Sequence, residues 1–104
     1  MIGKVHYGVY VERNPSNRRK PENVLILERS LPAILHESST ELMVGTVVMY
    51  RTFGHTDATK RVMITEEFQK KYRFLTSKVV TKVVRTERAF LPSGEEVKKG
   101  RAHD

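Results

Sequence analysis

The chain has 104 residues, a formal net charge of +7 at pH 7 and no cysteine. This length predicts one domain with a modest core. The absence of cysteine excludes disulfide scaffolds, thiolate metal sites and cysteine nucleophiles, and a reducing cytoplasm is the expected compartment. No apolar run approaches the roughly 20 residues that span a bilayer, and the first residues lack the apolar segment of a signal peptide. We therefore expect a cytoplasmic protein without a membrane partner.

The excess positive charge is concentrated toward the two ends of the chain. Residues 1–30 carry six basic against three acidic residues, residues 31–59 carry one against three, and residues 60–104 carry twelve against six. A strongly basic half favours nucleic acid or an acidic protein surface as a partner. The alternative is that the charge serves only solubility.

Two strands separated by a loop are predicted in the first third of the chain. GKVHYGVYVE (Gly3–Glu12) alternates apolar and polar residues, which is typical of a half-buried strand. Residues 13–23 contain two prolines and three asparagines, which predict a loop. The second strand candidate is Val24–Ser30, ending near Pro32. The basic tip of the loop comprises Arg18, Arg19 and Lys20.

A hairpin is predicted in the middle of the chain. Leu42–Phe53 is rich in β-branched and aromatic residues, Gly54–Asp57 has the composition of a turn, and Ala58–Ile64 returns antiparallel. A short helix of about two turns follows, with Thr65 as its predicted N-cap. Its first turn carries acidic residues and its end carries basic ones, as the helix dipole favours.

Two aromatic residues of this helix are predicted to face the core. Phe68 and Tyr72 are four residues apart and therefore share one side of the helix. Because the chain has no tryptophan, most of its large aromatic side chains are expected in the core. This expectation covers Tyr50, Phe53, Phe68, Tyr72, Phe74 and Phe90.

The segment Lys78–Phe90 fits either a helix or a strand. Its valines form a stripe at helical spacing, but four valines and two threonines in nine residues favour a strand, because β-branched side chains restrict χ1 in a helix. We predict one long, bent strand. A turn at Pro92–Gly94 follows, so we place a single domain at residues 1–92 and a flexible, charged tail at 93–104.

The predicted fold class is mostly β, of the α+β type. About five strands and one short helix suggest a small curved antiparallel sheet or a partly open barrel, with the helix at one end.

No catalytic or metal signature is present. The four histidines are scattered, no pair has the spacing of a helical metal site, and no phosphate-binding glycine loop or GxSxG motif occurs. We therefore expect neither an enzyme nor a cofactor or metal. An alternative is a cryptic enzyme or small-ligand binder that uses His55, Asp57 and Tyr50.

Basic residues on one face are the more informative feature. Neutralising phosphates releases condensed counterions, so nucleic-acid binding requires clustered Lys and Arg. The candidate contacts to nucleic acid or an acidic protein are Lys70, Lys71, Arg73, Lys78, Lys82, Arg85 and Arg88. We predict a secondary, mobile contact formed by Arg18, Arg19 and Lys20.

One module has a recognisable arrangement. In MVGTVVMYRTFG (Met43–Gly54) a glycine opens a strand, and TKRVMITEEFQKKYRFL (Thr59–Leu75) supplies a returning strand and an EEFxxxY helix. This arrangement covers about a third of the chain and resembles a module in small bacteriophage accessory proteins. Thr46 stands where that module usually has an acidic residue. The matching residues are Gly45, Val47, Val48, Val62, Met63, Ile64, Glu66, Glu67, Phe68 and Tyr72.

The resemblance implies a phage or mobile-element origin and a small binder acting on host or phage machinery in the host cytoplasm. With the charge pattern, it leads to one main hypothesis, a non-enzymatic basic protein that docks on nucleic acid or on an acidic protein. The alternative is an inhibitor of a host factor or a virion component, using a strand edge or hairpin, with incidental charge and possible homo-oligomers.

Overall fold

The computed structural model describes residues 4–15, 20–81 and 87–98. The elements are β1 (Val9–Glu12), β2 (Asn23–Glu37), β3 (Leu42–Thr52), β4 (Arg61–Ile64), α1 (Thr65–Lys71), β5 (Tyr72–Thr76), β6 (Lys78–Thr81) and β7 (Glu87–Phe90). The main sheet is antiparallel and has the strand order β4-β3-β2-β1-β5, with β6 and β7 in a separate two-stranded sheet. Since β4 and β5 lie at opposite edges, the main sheet is open. The predicted class, mostly strands with one short helix, is confirmed.

The central strand β1 is buried on both of its faces. It pairs with β2 on one side and with β5 on the other, and all four of its residues are buried. The predicted strand Gly3–Glu12 is therefore too long, and its half-exposed alternation is wrong. β1 begins only after Gly8, whose φ of +142° interrupts the extended backbone. L side chains rarely adopt this φ, and a Cβ at this position would overlap the carbonyl oxygen of Thr76.

Strand β2 runs seven residues beyond its predicted end. The sequence places the end at Ser30, near Pro32, but the strand continues to Glu37 and pairs with β3 throughout, with register shifts. Pro32 pairs with Thr46 at a point well past the three residues of β2 that pair with β1. A proline without an N–H is tolerated there because only one side of the strand is in the ladder. Ser30, with a φ of 57°, lies at one of the irregularities.

The far end of the β2–β3 hairpin extends beyond the other strands of the sheet. We call residues 31–46 the arm. Its turn is closed by Ser38, whose Oγ accepts hydrogen bonds from the backbone N–H groups of Thr40 and Glu41. Among the described strands, β2 and β3 pair with each other alone in the arm, since β4 begins its pairing with β3 at Val47.

The β3–β4 hairpin and the helix are confirmed, and helix α1 covers one face of the sheet. Phe68 and Tyr72 are fully buried and stack with ring centroids 4.8 Å apart. The predicted N-cap is wrong: Ile64 occupies that position without a side-chain cap, and the Thr65 hydroxyl instead hydrogen-bonds that of Thr46 at 2.8 Å. The helix-side core comprises Val5, Tyr10, Val24, Ile26, Val48, Tyr50, Phe68 and Tyr72, with Met63 against it.

The β6–β7 hairpin packs against the opposite face. The prediction of one long strand over Lys78–Phe90 is wrong, because Lys78 pairs with Phe90 and Thr81 with Glu87, so the chain folds back on itself. This hairpin completes a second core cluster around Val9, Phe53, Ala89 and Val97. Asn23 donates to the Lys98 carbonyl at 2.7 Å and Val97 is buried, so Val97 and Lys98 of the predicted tail pack on the domain, whereas residues 93–96 are exposed.

Candidate nucleic-acid interface

A cleft of about 320 Å³ opens on the helix side, between the segment before β1 and the end of α1. Two of its lining residues, Lys4 and Arg13, are cations, and none of the described lining residues is a carboxylate. Three aromatic side chains, a histidine and a glutamine form the rest of its wall. We call it the basic cleft. Its lining comprises Lys4, His6, Tyr10, Arg13, Gln69, Tyr72 and Phe74.

The aromatic wall is held in place by contacts with the helix-side core. Tyr10 packs edge-on against both Phe68 and Phe74, at centroid distances of 5.1 and 5.4 Å. Phe74 also contacts the His6 ring at 5.5 Å and remains 41% exposed. Its predicted core position is therefore wrong. An exposed aromatic ring fixed by its neighbours is the type of surface on which a nucleobase stacks.

Arg13 is positioned by the end of helix α1. Its backbone N–H donates to the carbonyl of Lys71 at 2.8 Å, and its Nε donates to the carbonyls of Gln69 and Tyr72. Helix C-termini present such carbonyls, and a cation there is favoured by the dipole. Both side-chain hydrogen bonds use Nε, so the two terminal nitrogens are the groups with which Arg13 would bind an anion.

The segment before β1 is fixed by contacts of Val5, His6 and Tyr7. Val5 is buried in the helix-side core, and its carbonyl accepts a hydrogen bond from Arg29 at 2.8 Å. The backbone N–H of His6 donates to the Tyr10 hydroxyl at 2.9 Å. Arg29 also lies over the exposed Tyr7 ring, 4.7 Å from its centroid. Lys4 and His6 are thus held in a segment that also carries the exposed Tyr7 ring and the cation of Arg29.

The hydroxyl of Tyr10 is polar but stays protonated at neutral pH. Burial raises the pKa of Tyr10 above its ordinary value, against the opposing effects of the His6 hydrogen bond and of Arg29. A neutral hydroxyl lets the cleft keep its positive character.

The predicted basic residues are divided between several surfaces. Lys70 and Lys71 lie in the last turn of α1, between the cleft residues Gln69 and Tyr72. Lys71 Nζ is 5.6 Å from the centroid of the Tyr72 ring, and Lys70 is 3.5 Å from Glu67. Arg73 pairs with Val11 and lies on the face opposite Phe74, since side chains alternate along a strand. Lys20 lines a different cavity, on the opposite face of the sheet. Arg18, Arg19, Lys82 and Arg85 lie outside the described residues.

The two predicted contacts on the C-terminal hairpin lie away from the cleft. Lys78 begins β6, and Arg88 in β7 forms a bidentate pair with Glu96, with both N–O distances 2.9 Å. Because a carboxylate already occupies its guanidinium, Arg88 is a weaker candidate for a phosphate than Lys71.

Sequence reasoning missed four residues of the cleft: Lys4, His6, Arg13 and the exposed ring of Phe74. The signal available for two of them was the polar side of the first predicted strand, where Lys4, His6 and Tyr10 alternate. No sequence pattern links that segment to Phe74, because β1 pairs with β5, a strand about 60 positions further along the chain.

The buried carboxylates of Glu22 and Glu87 each join several elements of the fold. Glu22 accepts hydrogen bonds from Thr52 at 2.8 Å, from Arg61 at 2.6 Å and from the Tyr72 hydroxyl at 3.3 Å. Burial raises the pKa of Tyr72 well above its ordinary value, and the Glu22 carboxylate raises it further. This network ties the start of β2 to β3, β4 and β5.

The second buried carboxylate, Glu87, attaches the C-terminal hairpin to the main sheet. Arg51 donates to its two oxygens at 2.9 and 2.7 Å, and the Gly54 backbone N–H donates at 2.7 Å. Burial alone would raise the pKa of Glu87, but these hydrogen bonds hold it below the usual range.

The residues of the alternative enzyme hypothesis are separated. Tyr50 is buried against Phe68 and Tyr72 in the helix-side core, whereas His55 and Asp57 are exposed in the loop between β3 and β4. The His55 carbonyl accepts a hydrogen bond from Ala58 that closes a turn, as predicted.

A second cavity of about 310 Å³ lies on the opposite face, lined by apolar residues such as Val11, Leu75 and Leu91 and by charged ones such as Lys20 and Glu95. It adjoins segments outside the described ranges. Within residues 4–15, 20–81 and 87–98, no group of three histidine or acidic side chains could hold a metal ion. In the same ranges, no helix has the length and apolar composition needed to cross a membrane.

Comparisons of the chain with models of protein families, with curated proteins and with solved structures found no match.

Proposed function

We propose that the protein is a non-enzymatic nucleic-acid-binding protein that holds a single-stranded segment in the basic cleft. The observation that supports this most directly is the combination, in one cleft, of Lys4, Arg13 and the exposed Phe74 ring, without a carboxylate among the described lining residues. Single-stranded nucleic acid is bound by this combination, because cations track the backbone while an aromatic ring stacks on a base.

Each group has a distinct role in the proposal. A base stacks on Phe74, whose orientation is fixed by Tyr10 and His6. The adjacent phosphates are bound by Lys4 as a point charge and by the terminal nitrogens of Arg13. Lys70 and Lys71 extend the positive surface along the strand. Recognition is independent of sequence, since stacking and phosphate contacts distinguish bases only weakly.

The biological setting of the proposal follows from the resemblance of residues 43–75 to small bacteriophage accessory proteins. A phage or mobile-element protein of this kind would modulate nucleic-acid machinery in the host cytoplasm by occupying single-stranded segments. A purely protein-directed inhibitor remains the second candidate, favoured by the exposed apolar arm.

The test is fluorescence anisotropy with labelled single- and double-stranded DNA and RNA at about 50 and 200 mM salt. We expect tighter binding to single strands, and a loss of one to several orders of magnitude in affinity between the two salt concentrations, depending on the number of phosphate contacts. Lys4→Glu removes a phosphate contact, and Phe74→Leu removes the ring while keeping an apolar side chain.

Two further variants distinguish the cleft from other surfaces. Lys60→Glu makes the same charge change as Lys4→Glu at an exposed position before β4, the strand at the other edge of the sheet. Lys82→Glu with Arg85→Glu tests the C-terminal segment favoured by the sequence. If this double variant abolishes binding while Lys4→Glu and Phe74→Leu bind normally, the cleft is the wrong site. Absence of binding at low salt would overturn the proposed function and favour a protein partner.

A further inference from the structure

The arm carries a concentration of exposed apolar side chains. Ile34, Leu42, Met43 and Val44 are 61%, 61%, 48% and 66% exposed. They are half of the eight large hydrophobic residues that are exposed in the described part of the chain. Scattered exposed hydrophobics are normal on small proteins, whereas a contiguous group marks an interaction surface.

Three of these side chains share one side of the arm. Ile34 lies directly opposite Val44 across the ladder, and Leu42 is two residues from Val44 on the same strand. Thr46, two residues further along, contacts Thr65 of α1. This apolar stripe of Ile34, Leu42 and Val44 therefore faces the same side of the sheet as helix α1 and the basic cleft.

The charge of the arm is opposite to that of the basic cleft. Residues 31–50 contain no lysine or arginine, and the arm carries Glu37 and Glu41 at its tip. His36 lies 3.6 Å from Glu41. The cleft presents Lys4 and Arg13, with Lys71 beside it. An acidic, apolar arm and a basic, aromatic cleft on one chain are complementary surfaces.

We propose that two copies form a two-fold symmetric dimer in which each arm docks on the basic cleft of the other copy. The apolar stripe packs against the aromatic wall around Phe74, and the acidic tip faces Lys4 and Lys71. Both surfaces lie on the helix side, so the two copies face each other with their long axes antiparallel. The longest extent of the molecule is 50 Å. A single two-fold axis generates both arm-to-cleft contacts at once. This inference does not rest on nucleic-acid binding.

Edge-to-edge pairing of two arms is disfavoured at both edges. Along β2, Pro32 lacks the N–H that a further strand would require. Along β3, the residues of the arm that do not pair with β4 lie directly before the β3–β4 ladder, and α1 starts where β4 ends. A second arm paired there would bring its acidic tip against Glu66 and Glu67 in the first helical turn. Docking on the cleft places the same tip against cations instead.

The first experiment is analytical ultracentrifugation of the protein without nucleic acid, over a concentration range of about 1 to 100 µM. We expect a monomer–dimer equilibrium that weakens as salt is raised. Ile34→Thr with Val44→Thr keeps β-branched side chains but removes apolar surface, and should weaken the dimer at least about tenfold. The matched control is Val62→Thr, which makes the same change at a residue 60% exposed on β4 and should leave the dimer intact.

A charge exchange tests which surface receives the arm. Glu37→Lys with Glu41→Lys should weaken the dimer, and Lys4→Glu with Lys71→Glu should do the same. All four substitutions in one chain should restore it, because both contacts of the symmetric dimer regain opposite charges. Circular dichroism confirms that each variant is folded.

Three results would overturn the proposal. A monomer throughout the concentration range excludes the dimer. An assembly that tolerates the Ile34 and Val44 substitutions excludes the arm. A dimer that the combined charge exchange does not restore excludes the basic cleft as the receiving surface. Each of these results is compatible with single-strand binding in the basic cleft, so the two proposals fail separately.

Discussion

At the scale of single residues, the Arg51–Glu87 pair is the contact with the largest expected effect on stability. Glu87 is fully buried and connects β7 to Arg51 of β3 through two hydrogen bonds and to Gly54, in the loop after β3, through a third. Removing one partner of a buried pair leaves a charge without compensation, which costs about 3–5 kcal/mol. We therefore expect Glu87→Gln to lower the free energy of unfolding by about this amount, measured by urea denaturation.

The Arg51–Glu87 pair also makes the free energy of unfolding depend on pH. Because the folded pKa of Glu87 is depressed, its contribution to stability is present above the ordinary value of 4.5 and is lost as the pH falls through the lower folded pKa. We expect the wild-type protein to lose stability on acidification in this window and Glu87→Gln to show a smaller slope. Glu96→Gln is the control, since the exposed Arg88–Glu96 pair is solvated and contributes little. Equal effects of the two substitutions would contradict the role assigned to burial.

At the scale of elements, the approach of β1 to β5 depends on Gly8. Its φ of +142° is unfavourable for any L side chain, and a Cβ would overlap the Thr76 backbone. We expect Gly8→Ala to destabilise the protein by more than the roughly 1–3 kcal/mol of backbone strain alone. Gly94→Ala provides the comparison, because φ there is +96° with no atom within 4 Å of the added Cβ. Thermal denaturation that ranks Gly94→Ala as the more damaging change would contradict the close approach.

Which elements the sequence predicts depends on whether local chemistry or pairing decides their ends. The β3–β4 hairpin and α1 are predicted well because turn residues, a first acidic turn and the Phe68–Tyr72 spacing are local signals. The strand β2 is predicted to end near Pro32 because the sequence does not reveal that only one of its sides is paired there. Residues 78–90 read as one strand because β-branched residues favour strands without specifying where the chain reverses.

The candidate site was predicted in its chemistry more than in its location. A basic surface follows from composition, and Lys70 and Lys71 lie beside the cleft. Because β1 is buried on both faces, its side chains do not alternate between buried and exposed. Phe74 is exposed because it lies on β5, which is an edge strand of the main sheet. The grouping of Lys4, Arg13 and Phe74 depends on pairing between distant segments, which a single sequence does not specify.

At the scale of the whole molecule, one cleft serves both proposals, so nucleic acid and the second copy compete for it. In the two proposals, Lys4 binds a phosphate of the single strand and also faces the acidic tip of the partner's arm. We therefore expect an added single-stranded oligonucleotide to convert dimer into monomer–nucleic acid complex in ultracentrifugation. Linkage requires the reverse as well, so affinity for the strand should fall as protein concentration raises the dimer fraction.

The arm variant makes this competition measurable. Ile34→Thr with Val44→Thr leaves the cleft unchanged, so it should bind the single strand at least as tightly as the wild-type protein and lose the dependence on protein concentration. Lys4→Glu should weaken both equilibria and reduce the salt slope of nucleic-acid binding by about one phosphate contact. A wild-type dimer that binds the oligonucleotide without dissociating would show that the two ligands occupy different surfaces, since a cleft of about 320 Å³ cannot hold an arm and a stacked base together.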